Sequence, residues 1–296
     1  MQKRLVGDPS LKRHQASLIV PHVAVYIASI ALLVAFFGQA VFMLPVKVAF
    51  GLILAGAVNV LGAALHLKAL GLGDAMDVTV FSQTSPVFSL VLGVLFLDEI
   101  ISGNQLVGFM IILAAALLVA VKGNGESQRH QLNLKLVATT IVYAFFSILS
   151  DIIFLYVIKG RTSDVTLFAQ SFLFFQIGSF IATIFCFILS DAWRRSLLTA
   201  FIRGKHSKQN LASAFIENVG FFFAEVLYKL GLIFAPIIAL LSVIGKASSL
   251  FASFVLNLVL GALFPKHVKV KKFTRQTFAV YLFAAVMIIV GVYVMN

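Results

Sequence analysis

The stretch "TSPVFSLVLGVLFLDEIISGNQLVGFMIILAAALLVAV", residues 84–121, holds two apolar runs around a short polar joint, "DEIISGNQ" (98–105). The runs are parts of longer ones, 76–97 and 103–122. Each is long enough to cross about 30 Å of hydrocarbon as a helix. A segment in hydrocarbon must satisfy its own backbone groups, which makes a helix the expected form on both sides of the joint.

The same pattern extends along the chain. Further apolar runs of spanning length fall at about 18–44, 50–70, 136–158, 164–190, 211–232, 234–262 and 275–295, giving nine in all. The 296 residues are 61% hydrophobic and 11% charged, whereas soluble domains run near 45–50% and about 25%. The sequence therefore predicts an all-α integral membrane protein with about nine transmembrane helices. The single cysteine, Cys186, excludes an internal disulfide and sits in "FIATIFCFILS" (180–190), where it reads as a small buried hydrophobe. The connections are short except for 123–135, a polar linker, and 191–210.

The parts on either side of the linker look alike. "HLKALGLGDA" (66–75) is echoed by "VLYKLGLIFA" (226–235), and "VNV" (58–60) by "ENV" (217–219). "LAAALLVAV" (113–121) is echoed by "FAAVMIIVGV" (283–292). "QTSPVFSLVL" (83–92) can be laid on "KASSLFASFV" (246–255), which sets Gln83 against Lys246. The common order predicts two repeats. The first is 1–122 with four helices. The second is 136–296 with five, and its first helix, 136–158, has no counterpart in the first repeat.

Residues 84–121 resemble the EamA-like members of the drug/metabolite transporter superfamily. The family pattern is a proline-containing helix, an acidic residue at its end, a short polar loop, then a glutamine and a glycine opening the next helix. Here those are Pro86, Glu99, Gln105 and Gly108. The resemblance implies ten helices as two inverted five-helix repeats, with the first helix missing from this chain. It also implies a transporter with no enzymatic activity and no cofactor. A narrower likeness is to sugar-phosphate and nucleotide-sugar exchangers of the superfamily, which use a lysine at the place of Lys246.

Lys and Arg set the expected orientation. Of 23 basic residues, 18 fall at the N-terminus, at Lys68 before the 70–76 joint, at Lys122 and in the linker, in the 191–210 connection and in the 263–275 loop. Lys47, Lys159, Arg161 and Lys229 fall on the other side, and Lys246 lies inside a run. The positive-inside rule predicts a multi-pass protein of the cell membrane with a cytoplasmic N-terminus and an external C-terminus. The family's usual arrangement, both ends inside, would put the basic loops outside. The net charge of +12 is thus a topology signal. Nucleic acid is excluded as a partner, because no soluble basic domain exists to bind it. "DAWRRSLLTAFIRGKHSK" (191–208) sets Trp193, Leu197, Phe201 and Ile202 on one face, which predicts an interfacial helix over about 192–204 lying on membrane lipids.

Enzyme chemistry finds no footing. "GLGD" (71–74) matches the motif of intramembrane aspartyl proteases, but no second aspartate stands in a preceding run. There is no H-E-x-x-H and no G-x-S-x-G. The six histidines are scattered and predict no metal site. No catalytic residue, metal or cofactor is expected. "GLILAGAVNVLGAA" (51–64) instead carries a stripe, Gly51, Ala55, Asn59 and Gly62 or Ala63, for close helix packing.

The informative residues are the ionisable ones inside the runs: Asp151, Glu217, Glu225 and Lys246, with Lys229 near the end of its run. Such groups face a bundle interior or a water-filled path. Pro86 is expected to interrupt its helix near the middle, beside the hydroxyls and amide of "SQTS" (82–85). These residues predict a site between the repeats for a small-molecule substrate. Lys246 would hold an anionic group, and Glu225 and Asp151 would carry a coupling proton or hold a cationic group. Gln83, Ser85 and Ser249 would hydrogen-bond the substrate, with Glu217 and Asn218 on the same helix as Glu225. The opposed reading is a non-transporting scaffold or truncated remnant in which the charges only pair. A homodimer is left open.

Overall fold

The structure, a computed structural model, describes residues 19–72, 78, 81–122, 134–159, 161, 164–189, 207–234, 237–238, 240–245 and 275–295. These hold eight α-helices and no strand. They are α1 (Ile19–Phe37, continued by a 3-10 turn, Gly38–Phe42), α2 (Val46–Leu72), α3 (Ser85–Leu97), α4 (Gly103–Lys122), α5 (Leu134–Ile158), α6 (Val165–Leu189), α7 (Ser207–Phe234) and α8 (Arg275–Met295). Four described stretches are both long and apolar enough to cross a membrane: Val23–Phe42, Val46–Leu72, Leu134–Ile158 and Val165–Leu189. Of the run 234–262 only 237–238 and 240–245 are described. The expected interfacial helix at 192–204, most of the linker, Lys246 and Ser249 lie outside the described residues.

α2 is the centre of the bundle because its small residues let two neighbours approach at once. Gly51, Ala55 and Gly62 face α5. A Cβ on Gly51 would meet Val157 Cγ2 at 2.5 Å, and Ser150 Oγ donates to the Ala55 carbonyl at 2.8 Å. On an adjoining face, a Cβ on Gly56 would run into the Phe175 carbonyl oxygen, and one on Gly178 into that of Ile53. Ser179 Oγ donates to the Gly56 carbonyl at 3.2 Å across the same contact. The space between α2, α5 and α6 is filled by Leu52, Phe154, Phe168, Phe172 and Phe175.

The other helices dress this core. α1 lies on α6, with Gln170 Nε2 donating to the Ala40 carbonyl at 2.7 Å. α3 runs beside α5, where Phe88 meets Phe145 edge-on at 5.6 Å. α4 pairs with α8, glycine against glycine at Gly108 and Gly291 and alanine against alanine at Ala115 and Ala284. The partner numbers fall as those of α4 rise, so the two helices are antiparallel.

The run 76–97 is interrupted beside Pro86, as the proline leads one to expect. Residues 81–82 are helical, Gln83 and Thr84 form a turn, and α3 starts at Ser85 with Pro86 in its first turn. Proline has no N–H and its ring clashes with the preceding turn, so a helix start suits it where a helix middle does not. Its missing N–H deprives the Ser82 carbonyl of a partner, and Ser85 Oγ donates to that carbonyl at 2.7 Å. Thr84 Oγ1 likewise donates to the Phe81 carbonyl at 2.8 Å. The two hydroxyls thereby meet carbonyls at the break.

Candidate functional site

Polar side chains inside the bundle gather on one face of α7. Lys229 Nζ, 2% exposed, donates to Asp151 Oδ1 of α5 at 2.5 Å. Tyr228 Oη donates to Asp151 Oδ2 at 3.1 Å. The ammonium also lies over the rings of Phe175 and Phe154, 4.3 and 4.9 Å from their centroids, where the negative ring faces favour a cation. Lys229 is therefore an interior residue. Its assignment to the outer flank of the chain is corrected: one α-helical turn and a half remain beyond it before Phe234, and its long side chain turns inward to the Asp151 carboxylate.

One turn earlier on the same helix is Glu225, four residues from Lys229 and so on the same side. Asn59 Nδ2 of α2 donates to its Oε1 at 3.0 Å, and Gln176 Nε2 of α6 to its Oε2 at 3.4 Å. Among the described residues Glu225 forms no ion pair. It and Asn59 are half-buried, whereas Asp151, Lys229 and Gln176 are buried. Tyr26 of α1 stands near enough to feel the charge of Glu225, its phenol hydrogen-bonded to Ser179 and Thr183. α1, α2, α5, α6 and α7 thus each send a polar group to one region.

Of the residues expected in the site, Asp151 and Glu225 are brought together. Gln83 and Ser85 are buried in the break before α3 and hydrogen-bond neither carboxylate. Ser85 has its proton committed to the Ser82 carbonyl, and Pro86 sets the start of α3. Glu217 and Asn218 lie on α7, but their side chains, like Lys246 and Ser249, are outside the described residues. Sequence reasoning missed Tyr26, Gln176 and Tyr228, and gave Asn59 only a packing role. An amide in the middle of an apolar helix is itself a signal, since burying one without a partner is costly. Among the described residues no three His, Cys, Asp or Glu side chains come together to hold a metal ion.

At the far end of α3 the chain ties its two parts together. Asp98 adopts a left-handed conformation, φ 55°, and the Glu99 side chain turns back toward Gly93. Glu99 Oε1 accepts from the Ile238 backbone N–H at 2.6 Å, at the entry of the run 234–262. A Cβ on Gly93 would collide with the Glu99 carboxylate. Three residues further, Ser102 and Gln105 form a reciprocal capping box at the start of α4, with bonds of 2.9 and 3.2 Å.

Residues 13–121 match the model of the EamA-like transporter family. This part of the chain, α1 to α4, is similar to that family. The EamA-like pattern residues have physical roles in it. Pro86 starts α3, Glu99 caps a helix of the other half, Gln105 closes the capping box and Gly108 admits α8. A crystal structure of another protein aligns over 95% of this chain and 86% of its own, with a TM-score of 0.63 and 14% identity. At that identity the likeness is one of fold, and it covers nearly the whole chain. No curated protein matches the sequence.

Proposed function

We propose that this membrane protein is a secondary transporter that moves a small metabolite by alternating access, with Glu225 as the coupling carboxylate. The observation that carries the reading is the difference between the two buried carboxylates. Asp151 is closed off by Lys229 and Tyr228, while Glu225 meets only amide donors and keeps part of its surface accessible. Ionisable groups inside membrane segments mark substrate and proton paths. The EamA-like segment supports the same class.

In this reading the chain crosses the membrane nine times as inverted repeats of four and five helices, with its N-terminus in the cytoplasm. The pairing of α4 with α8 supports it. Ala115 and Ala284 pack together, and the repeat alignment sets 115 against 285, one residue away. A two-fold axis passing there would relate the halves. The phosphorylated-cargo alternative rests on Lys246. A scaffold without transport is what the Asp151–Lys229 pair alone would favour.

The test is uptake into liposomes driven by a pH gradient. Glu225→Gln abolishes proton-driven accumulation and leaves exchange of bound substrate partly intact. Accumulation against a gradient by a folded Glu225→Gln protein would move the coupling site elsewhere, and absence of any gradient-driven flux by the wild type would favour the scaffold.

A further inference from the structure

We infer that the Glu225 region takes a monovalent organic cation with N–H donors, a primary amine or a guanidinium, in exchange for a proton. Its role as cargo rests on the transporter reading; its binding does not.

The first argument is charge. The groups facing Glu225 are Asp151 from α5, Tyr26 from α1, and Tyr228 and Lys229 on α7 itself, with the neutral amides of Asn59 from α2 and Gln176 from α6. Among these described groups are two carboxylates and one ammonium, and the ammonium is bound to Asp151. Among the described groups the carboxylates thus exceed the cations by one. In an apolar interior an uncompensated charge is costly, so the region calls for one more proton or one cation.

The second argument is hydrogen bonding, and it is independent of the first. Gln176 is fully buried, and its Nε2 is turned to Glu225. Its Oε1 has no hydrogen-bond partner. The unfilled capacity beside Glu225 is therefore an acceptor as well as a negative charge. A primary ammonium answers both, giving one N–H to the Glu225 carboxylate and another to Gln176 Oε1. A quaternary ammonium answers only the charge, and a carboxylate answers neither. This interior already holds one alkylammonium in the same manner: Lys229 lies between a carboxylate at 2.5 Å and phenyl faces at 4.3 and 4.9 Å.

The exchange balances simply. The amine enters already protonated, the Glu225 carboxyl releases its proton to water, and the resulting carboxylate accepts the ammonium N–H. No covalent bond to carbon changes.

Three probes of one shape separate the terms: benzylamine, benzyltrimethylammonium and benzoate. Their binding to the purified full chain is measured by calorimetry in buffers of different ionisation enthalpy, which counts protons. Benzylamine is expected to bind with release of up to one proton. Benzyltrimethylammonium should bind more weakly by about tenfold or more, the loss of both N–H hydrogen bonds. Glu225→Gln should remove proton release and weaken benzylamine by tenfold or more on the same basis. Gln176→Leu should weaken benzylamine and leave benzyltrimethylammonium unchanged, which keeps the test alive if Glu225→Gln fails to fold. The inference is overturned by failure of benzylamine to bind, by binding without proton release, by equal binding to a folded Glu225→Gln protein, or by preference for benzoate. An amine bound with proton release but not carried in liposomes would sink the transporter reading alone. Gradient-driven flux dependent on Glu225, with no amine binding, would sink this inference alone.

Discussion

Lys229 Nζ and Asp151 Oδ1 lie 2.5 Å apart across the contact of α7 with α5, their side chains 2% and 7% exposed. A dry pair of this kind gains little over good apolar packing, because both ions lose their hydration, yet breaking it strands a charge. Lys229→Met should therefore destabilise by about 3–5 kcal/mol, and Lys229→Met with Asp151→Asn should recover most of that loss. Chemical unfolding in detergent measures both. A single variant as stable as the wild type would mean that water reaches the pair.

Glu99 caps a helix entry that belongs to the other end of the sequence. Glu99→Ala removes the acceptor from the Ile238 N–H and should cost about 0.5–2 kcal/mol, as for other N-cap losses. Glu99→Gln keeps an oxygen there and should cost less. Gly93→Ala should mimic Glu99→Ala, because its methyl takes the space of the carboxylate, and the double variant should then be little worse than either single one. Additive losses in that cycle would show that Gly93 has a separate role.

The helices were legible in the sequence because apolar runs of spanning length admit one backbone solution. The stripe Gly51, Ala55 and Gly62 was legible as a packing face, since small residues at helical spacing have little other use, although its partner, α5, was not. Asp151 and Glu225 stood out as charges in apolar runs. What could not be read was which cation meets which carboxylate. Lys229 is five residues from the end of α7, within reach of either the flank or the interior, and only the position of α5 decides between them. The interruption expected at Pro86 was legible too, although its exact place, Gln83–Thr84, was not. Proline marks a discontinuity, but the neighbouring hydroxyls decide on which side the helix resumes.

The meeting of α2 and α6 gives a sharp contrast between glycines. Gly178→Ala drives a methyl into the Ile53 carbonyl, and Gly56→Ala drives one into that of Phe175. Each should separate the helices and lower stability by at least about 1–3 kcal/mol, the usual cost of overpacking. Gly220→Ala on α7 meets nothing within 4 Å and should be neutral or stabilising by up to about 1 kcal/mol through helix propensity. Thermal melts of the three variants in one detergent check the order.

Orientation can be read at one end of the bundle. Lys159 Nζ donates to Asp98 Oδ2 at 2.6 Å, so α3 and α5 end on the same side whichever way the protein inserts. In the orientation we propose from the bias of basic residues, that side faces outside the cell, and moving Lys229 to the interior strengthens the bias. In a Cys186→Ala background, Lys159→Cys and Gly103→Cys should be labelled by an impermeant thiol reagent in intact cells, and Lys135→Cys should be shielded. Loss of the exposed Lys159 pair costs little. The opposite labelling pattern would give both repeats the reverse orientation.

Ser85 can serve either the backbone or a substrate, and Pro86 allows the two to be told apart. The Ser82 carbonyl accepts from Ser85 Oγ at 2.7 Å because Pro86 cannot supply the usual helical N–H. Ser85→Ala should remove that bond and cost about 0.5–1.5 kcal/mol. Pro86→Ala restores an N–H at the place where a continuous helix would use it. In the Pro86→Ala background, Ser85→Ala should therefore cost much less, so that most of that loss appears as coupling between the two positions. Unfolding of the four proteins measures the cycle, and uptake by the same four completes it. If Ser85→Ala abolishes uptake equally in both backgrounds while stability is recovered, the hydroxyl touches substrate. If uptake returns with stability, the hydroxyl serves only to close the break before α3.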